Sequence, residues 1–334
     1  MAIRSLATPA TVGIYVTPFA QGTSTKSIMN RVASLVFASL ISVLLSAIDC
    51  GQSSAQSDKG DLADSKSDKE QALIKRWFDV YEEIIDSIKF AHSTTSNDST
   101  QSISSSELKR QTLVTLVSAV NDRHGNVHLW TDRGRPIIMG VIMSARDTMP
   151  NSRVIALKFN SMTQGSVVGS RNDEVFWKCD EPGVHWKGEL SDLVPSNNRA
   201  TRLTQMKAIV RQFSAEGSSA NRTNNEYRLM PQPIYRYAEN TPNVVDGAIF
   251  SLVLETDPKV FLQIEARENE WFLSCSRNAA FEAKVRKGDE VIWSFDTWSN
   301  VQIFQTKPFY MMYTSERRQT DDPSKILFSR WGSR

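Results

Sequence analysis

From residue 109 onward the chain is cut into short apolar runs that end at turn residues, and this punctuation limits what it can fold into. "NVHLWTD" and "PIIMGVIMSA" are rich in branched and aromatic residues, and "RGR" separates them. That pattern predicts a β-hairpin, with Gly134 free to take the positive φ that a tight turn demands. "RVIALKFNSM", "SVVGS", "DEVFWKC" and "GVHWKG" continue the series, and "YRLMPQPIYRY", "GAIFSLVLE", "KVFLQIEA", "EWFLSCS", "FEAKVRKG" and "DEVIWSF" extend it. Between the two sets, Leu203, Met206, Ile209, Val210 and Phe213 recur at helical spacing, which predicts a helix ending before Gly217.

The two strand series are alike. "NDEVFW" at 172–177 matches "GDEVIW" at 288–293, and "LWTDRGRPIIMGVIM" has a looser counterpart in "LETDPKVFLQIEA". One reading is an internal duplication; the other is hairpins converging on a common pattern. The expected fold class is mainly β (α+β), an antiparallel barrel or sandwich with one inserted helix and an N-terminal helix. Its first β half spans 109–196, the helix 197–217 and the second β half 225–313, followed by a polar tail at 314–334.

Upstream, Leu73, Ile74, Trp77, Phe78, Tyr81, Ile84, Ile85 and Ile88 fall on one face of a helix placed at 71–91. Polar, Ser-rich stretches flank it. Residues 56–70 read as a flexible stalk and 92–108 as a low-complexity linker.

Residues 32–48, "VASLVFASLISVLLSAI", carry no charge and follow Arg31. A cation, an apolar core and a small-residue ending at Ser53-Ser54-Ala55 read as a secretory signal peptide over 29–55. Met29 opens the better n-region, so 1–28 reads as an extension upstream of the true start. Two rival readings are an uncleaved anchor, short against the roughly 20 residues of a spanning helix, and lipidation at Cys50, for which Asp49 is a poor neighbour. Each exports the rest of the chain to the periplasm, the cell envelope or the medium, with membrane contact only through residues 32–48. In an oxidising compartment Cys179 and Cys275 could pair as a disulfide or stay as two buried thiols.

Few residues point to chemistry. A net charge of +2 gives no bulk attraction for nucleic acid. Asp132, Arg133 and Arg135 bracket Gly134 and read as a solvated hairpin tip. His124 and His128 are separated by Gly125-Asn126, which breaks the helix that a chelating pair needs, so no metal site is assigned, and His185 adds none. Glu174 and Glu290, with Asp257 and Glu265, are the carboxylates a hydrolase would use if two of them met in one cleft. Tyr235, Arg236 and Tyr237 combine aromatic faces with a cation, and with Trp130 and Arg135 they form the candidate binding set. Trp177, Trp186, Trp271 and Trp293 read as packing residues. No Gly-rich phosphate loop, nucleophile elbow or Cys-pair knuckle occurs, and no cofactor is assigned.

"LWTDRGRPIIMG", "TRLTQMKAIVRQFSA", "YRLMPQPIYRY", "DGAIFSLVLETDP" and "FLQIEAR" resemble motifs of a family of uncharacterised exported planctomycete proteins, and the resemblance covers roughly residues 70–313. That resemblance implies an exported bacterial protein and supplies no catalytic residue. "DRGRP" also resembles, with one residue inserted, the turn of flavin-binding split-barrel proteins related to pyridoxamine phosphate oxidase, but basic residues for an FMN phosphate are not found here. The expected role is a non-enzymatic module binding a small molecule, a glycan or an envelope protein. An envelope hydrolase and a self-associating structural component are the alternatives. Intact-mass analysis of the native protein should give a chain starting at Gln56. A start at Met29, or a lipid on Cys50, would replace the cleaved form with a tethered one.

Overall fold

The computed structural model describes residues 60–96, 99–103, 108–118, 122–188, 190–219, 222–237, 244–297, 306–307 and 310–330. The expected signal peptide at 29–55, with Cys50, lies outside the described residues.

The first half runs α1 (Gly60–Asp86), β1 (Ile88–Ser96), β2 (Ser99–Ile103), β3 (Lys109–Ser118), β4 (Arg123–Asp132), β5 (Arg135–Arg146), β6 (Ser152–Ser161), β7 (Ser166–Arg171) and β8 (Glu174–Cys179). The second runs α2 (Arg199–Val210), β9 (Phe213–Ser219), β10 (Arg222–Leu229), β11 (Tyr235–Tyr237), β12 (Asp246–Leu254), β13 (Asp257–Arg267), β14 (Glu270–Arg277), β15 (Ala283–Lys287) and β16 (Glu290–Phe295). β17 (Thr306–Lys307), β18 (Tyr310–Gln319) and β19 (Ile326–Ser329) follow. The halves share one element order: a helix, a hairpin, a single strand, a three-stranded meander and a closing hairpin. In each, the closing hairpin returns to the first strand, β7 to β1 and β15 to β9.

The fold is mainly β, its sheets are antiparallel, and one is nearly closed like a barrel. The strand orders are β2-β1-β7-β8, β17-β18-β6-β5-β4-β3 with β19 on β18, and β14-β13-β12-β10-β9-β15-β16 with β11 on β12. Three apolar clusters fill the spaces between layers. Trp77, Tyr81, Ile84 and Ile85 of α1 pack with Phe90, Phe159 and Trp177 on one face of the β4–β6 meander. Met206, Ile209 and Val210 of α2 pack with Phe250, Leu262 and Trp271 on one face of the β12–β14 meander. The two meanders meet through their remaining faces, where Val127, Leu129, Met139 and Val141 touch Ile249 and Phe261. Along β5, Ile138 and Ile142 enter the first cluster while Met139, Val141 and Met143 enter the shared one. Both faces of the strand are therefore buried, which is why "PIIMGVIM" reads as a continuous apolar run.

The hairpin turn forms where expected, but its tip is not fully solvated: Arg133 is exposed, whereas Arg135 turns inward to the buried Glu265. Arg133 and Gly134 have φ of 46° and 87°, two successive left-handed positions that close a two-residue turn. The counterpart turn places Glu255 at φ 58°. Each hairpin has a bulge just before its turn and a proline at the second position of its returning strand, Pro136 opposite Thr131 and Pro258 opposite Val253. Register therefore sets Asp257 opposite Arg135 in the comparison of halves, rather than matching the two Thr-Asp pairs.

Several boundaries differ from the sequence reading. The stalk is helical from Gly60, and the helix stops at Asp86, before 91, because Ile88 and Phe90 are buried as strand residues. The expected linker forms β1 and β2, since polar side chains do not prevent a ladder of backbone hydrogen bonds. The inserted helix begins after Asn198, whose side chain accepts from the N–H groups of Ala200 and Thr201, and ends at Val210. Gly217 lies within β9, not at a helix end. The expected polar tail contains the rest of β18, which covers the open edge of β6. The Cys179–Cys275 disulfide is not formed: both thiols are free, and they are buried in different clusters.

Gly140 sits under the Trp130 indole, where an added Cβ would lie 2.6 Å from the Trp130 ring and 3.0 Å from Phe159. Gly140→Ala should destabilise the protein by about 1–3 kcal/mol through overpacking, read as a lower urea midpoint at constant slope. An unchanged midpoint would mean that Trp130 moves aside without cost.

Candidate functional site

The structure brings Tyr235, Tyr237 and Arg135 together but uses their polar groups internally, and it places Trp130 and Arg236 elsewhere. Trp130 belongs to the first cluster, 4.9 Å from Phe90 in an edge-to-face pair. Tyr235 and Tyr237 stack at 5.8 Å, but their polar ends are used internally. The Tyr235 hydroxyl donates to the Gly134 carbonyl at 2.8 Å, and that of Tyr237 donates to Glu265 Oε1 at 2.7 Å. Burial, then the Glu265 charge, raises the Tyr237 phenol well above its ordinary value. Arg135 reaches the same carboxylate at 3.4 Å, and Arg267 at 2.6 Å. Arg236 is held by Asp246, which Arg202 also binds at 2.9 Å. Tyr235 alone of the set lines an open groove, with Lys109, Arg110 and Arg133. Two cations there are already matched, Arg110 by Glu82 and Asp86, and Arg133 by Asp132.

The carboxylates named for a hydrolase share no cleft. Glu174 and Glu290 are exposed at the starts of β8 and β16. Asp257 and Glu265 are both buried, but they stand eight positions apart on β13, about 26 Å at the rise of an extended strand. Ser144 and His124 offer a nucleophile and a base by residue type. Ser144 is fully buried, however, and its hydroxyl takes donors from Tyr81 at 2.6 Å and Arg153 at 2.9 Å. Among the described residues, no group of three His, Cys, Asp or Glu side chains is placed to hold a metal ion, and no helix is long and apolar enough to cross a membrane.

The best-formed site lies where the two meanders part, in a crevice of about 350 Å³. Strand alternation builds its first wall. Ile155, Leu157 and Phe159 of β6 turn to the first cluster, so Val154, Ala156 and Lys158 turn the other way. Met143 and Ala145 of β5 pair with Ala156 and Val154 and share that face, and Arg123 pairs with Ala145. The second half supplies Leu254, Asp257 and Lys259 around its hairpin turn, and Phe281.

Four charges meet there. Lys259 Nζ lies 2.5 Å from Asp257 Oδ2, and Arg123 and Lys158 each stand 3.9 Å from the same carboxylate. Exposure grades from 6% for the Lys158 side chain to 43% for Arg123, so Lys158 is the inner group and Arg123 the rim. Lys158 Nζ also donates to the Asn278 carbonyl at 3.1 Å. Burial pushes the Lys158 ammonium down to about 8 against the opposing pull of Asp257. Burial works against the Asp257 charge too, but Lys158 and Lys259 outweigh it and hold the carboxyl below the usual carboxylate range. Among the described residues, none donates a hydrogen bond to Asp257 Oδ1. The arrangement is three cations against one anion, beside apolar walls. It can hold an acidic group.

Sequence reasoning named Asp257 in another role and passed over Arg123, Lys158 and Lys259. One signal was available: Lys158 interrupts "VIALKF", a run otherwise apolar on both faces. No family model, no curated protein and no solved structure matches this chain.

Two other buried bases shape the response to pH. His128 is fully buried, with Nδ1 3.1 Å from Thr112 Oγ1. Its second nitrogen is 3.8 Å from Glu82, but Arg110 already neutralises that carboxylate at 3.0 Å. Burial, then Arg110, lowers His128 to about 3, and burial, then Arg153, lowers His124 to about 4. Both are neutral in the native state at pH 7. The unfolded chain binds their protons once pH falls below about 6.5, so their contribution is present above that pH and is lost on acidification. Between pH 6.5 and 5 each should cost at most about 2 kcal/mol. Urea midpoints should fall over that range, and His128→Gln should flatten the fall. An equal slope in the variant would assign the loss elsewhere.

Proposed function

We propose that this protein is an exported, non-catalytic binding module whose crevice takes a small anion with an apolar body. The observation that carries the reading is the charge count in the crevice: Arg123, Lys158 and Lys259 face one carboxylate, Asp257. An acidic ligand would complete that balance while its body covers Met143, Ala156 and Leu254. Export rests on residues 32–48 and their flanks. The shared element order and the paired "DEVFW" and "DEVIW" hairpins support a reading of the halves as two copies of one unit. On that reading the crevice lies between the copies and draws its charges from both.

A second reading is self-association. Ile326, Leu327 and Phe328 are three successive apolar residues of β19, each more than 40% exposed. Elution as a monomer at high concentration would remove it.

Hexanoate and 1-hexanol test the first reading. Calorimetry should show hexanoate binding and no measurable heat for the alcohol. Arg123→Ala and Lys259→Ala should each weaken hexanoate by about tenfold, the scale of one charge-assisted hydrogen bond. Equal behaviour of acid and alcohol, or full affinity in both variants, would sink the proposal.

A further inference from the structure

We propose that Lys158 captures a carbonyl compound bearing an acidic group, such as a 2-oxo acid, as a reversible imine in the crevice. This deepens the anion-binding reading and rests on it. The crevice holds two primary amines with different surroundings. Lys259 is an ion-pair partner, fastened to Asp257 Oδ2 at 2.5 Å. Lys158 stands deeper, 3.9 Å from Asp257 Oδ1, an oxygen that accepts no hydrogen bond from the described residues. Lys158 Nζ donates to a neutral acceptor, the Asn278 carbonyl, at 3.1 Å. A buried ammonium that gives up its proton readily is the state a lysine needs to act as a nucleophile. Burial has brought this one down to about 8. Arg123 and Lys259, nearer the rim, remain to hold the acid group, while the apolar walls take the chain.

The chemistry balances without a further reagent. Solvent water takes one proton from the Lys158 ammonium, because Asp257 is held below the usual carboxylate range and stays ionised. The freed electron pair on Nζ forms a bond to the carbonyl carbon, and the carbonyl π pair moves to oxygen. A proton shift from nitrogen to that oxygen gives a neutral carbinolamine. A proton returned from solvent then goes to the hydroxyl, which leaves as water while the nitrogen lone pair forms the C=N bond. The net change is ammonium plus carbonyl to protonated imine plus water, with charge conserved and nothing oxidised or reduced. Hydrolysis reverses it.

Reductive trapping tests this on the full chain. Incubation with 2-oxohexanoate and cyanoborohydride should add one reduced adduct per protein, mapped by peptide mass to Lys158. Excess hexanoate should suppress it, and trapping should rise as pH passes about 8. Lys158→Arg keeps a cation in place and should yield no adduct. If that variant fails to fold, the mapped position in the wild-type protein still decides. Hexanoate binding without a Lys158 adduct would overturn the imine and leave the anion site standing. Adducts scattered over surface lysines, or no binding of either acid, would overturn the imine too, and the last would remove the anion site with it.

Discussion

The apposition of the two meanders is the constraint on which the rest of this structure depends. β4, β5, β12 and β13 bury both faces: β4 and β5 lie under a helix and a small sheet, β12 and β13 under a helix and the far strands of their own sheet, and the two pairs cover each other. A strand buried on two sides has no solvent face on which to hide polar groups, so every charge there must find a partner or line an opening. The centre of the seam is apolar, with Val141, Ile249 and Phe261 in contact through one cluster. Its charged groups are pushed toward the ends of the strands.

β13 shows the two outcomes on one strand. At its far end Glu265 is fully buried and fully engaged by Tyr237, Arg135 and Arg267. Those partners come from within the chain, and the space is filled. At its near end Asp257 meets three cations, and a crevice stays open beside them. A buried carboxylate with matched donors is a structural element that would be costly to break. An excess of cations around one carboxylate is unbalanced and leaves capacity for an external acid. The difference lies in stoichiometry more than in residue type. That is why Arg135 and Tyr237, attractive by composition, hold the fold, while Lys158 and Arg123 face the opening.

Local pattern revealed most of the strands and the type of the "DRGRP" turn, because alternation, branching and a glycine at a left-handed position act over a few residues. It failed where pairing partners were distant. Residues 92–103 look like a linker until β7 lies beside β1. Residues 314–319 look like a tail until β6 offers an unpaired edge. The aromatic-rich "PIYRY" drew attention for good chemical reasons, but the donors and acceptors that consume it, Gly134, Asp246 and Glu265, are remote or sit on other strands.

By itself the sequence determined a mainly β chain with two helices, an uncharged apolar run at 32–48 ahead of it, and two strand series of similar order, since these follow from composition and short-range periodicity. Only the tertiary structure decided that the halves pack face to face, that Cys179 and Cys275 lie in separate cores, and that Arg123, Lys158, Asp257 and Lys259 meet. Electrostatic pairing acts through space, so residues 123 and 259 become neighbours only after both sheets have formed and closed on each other.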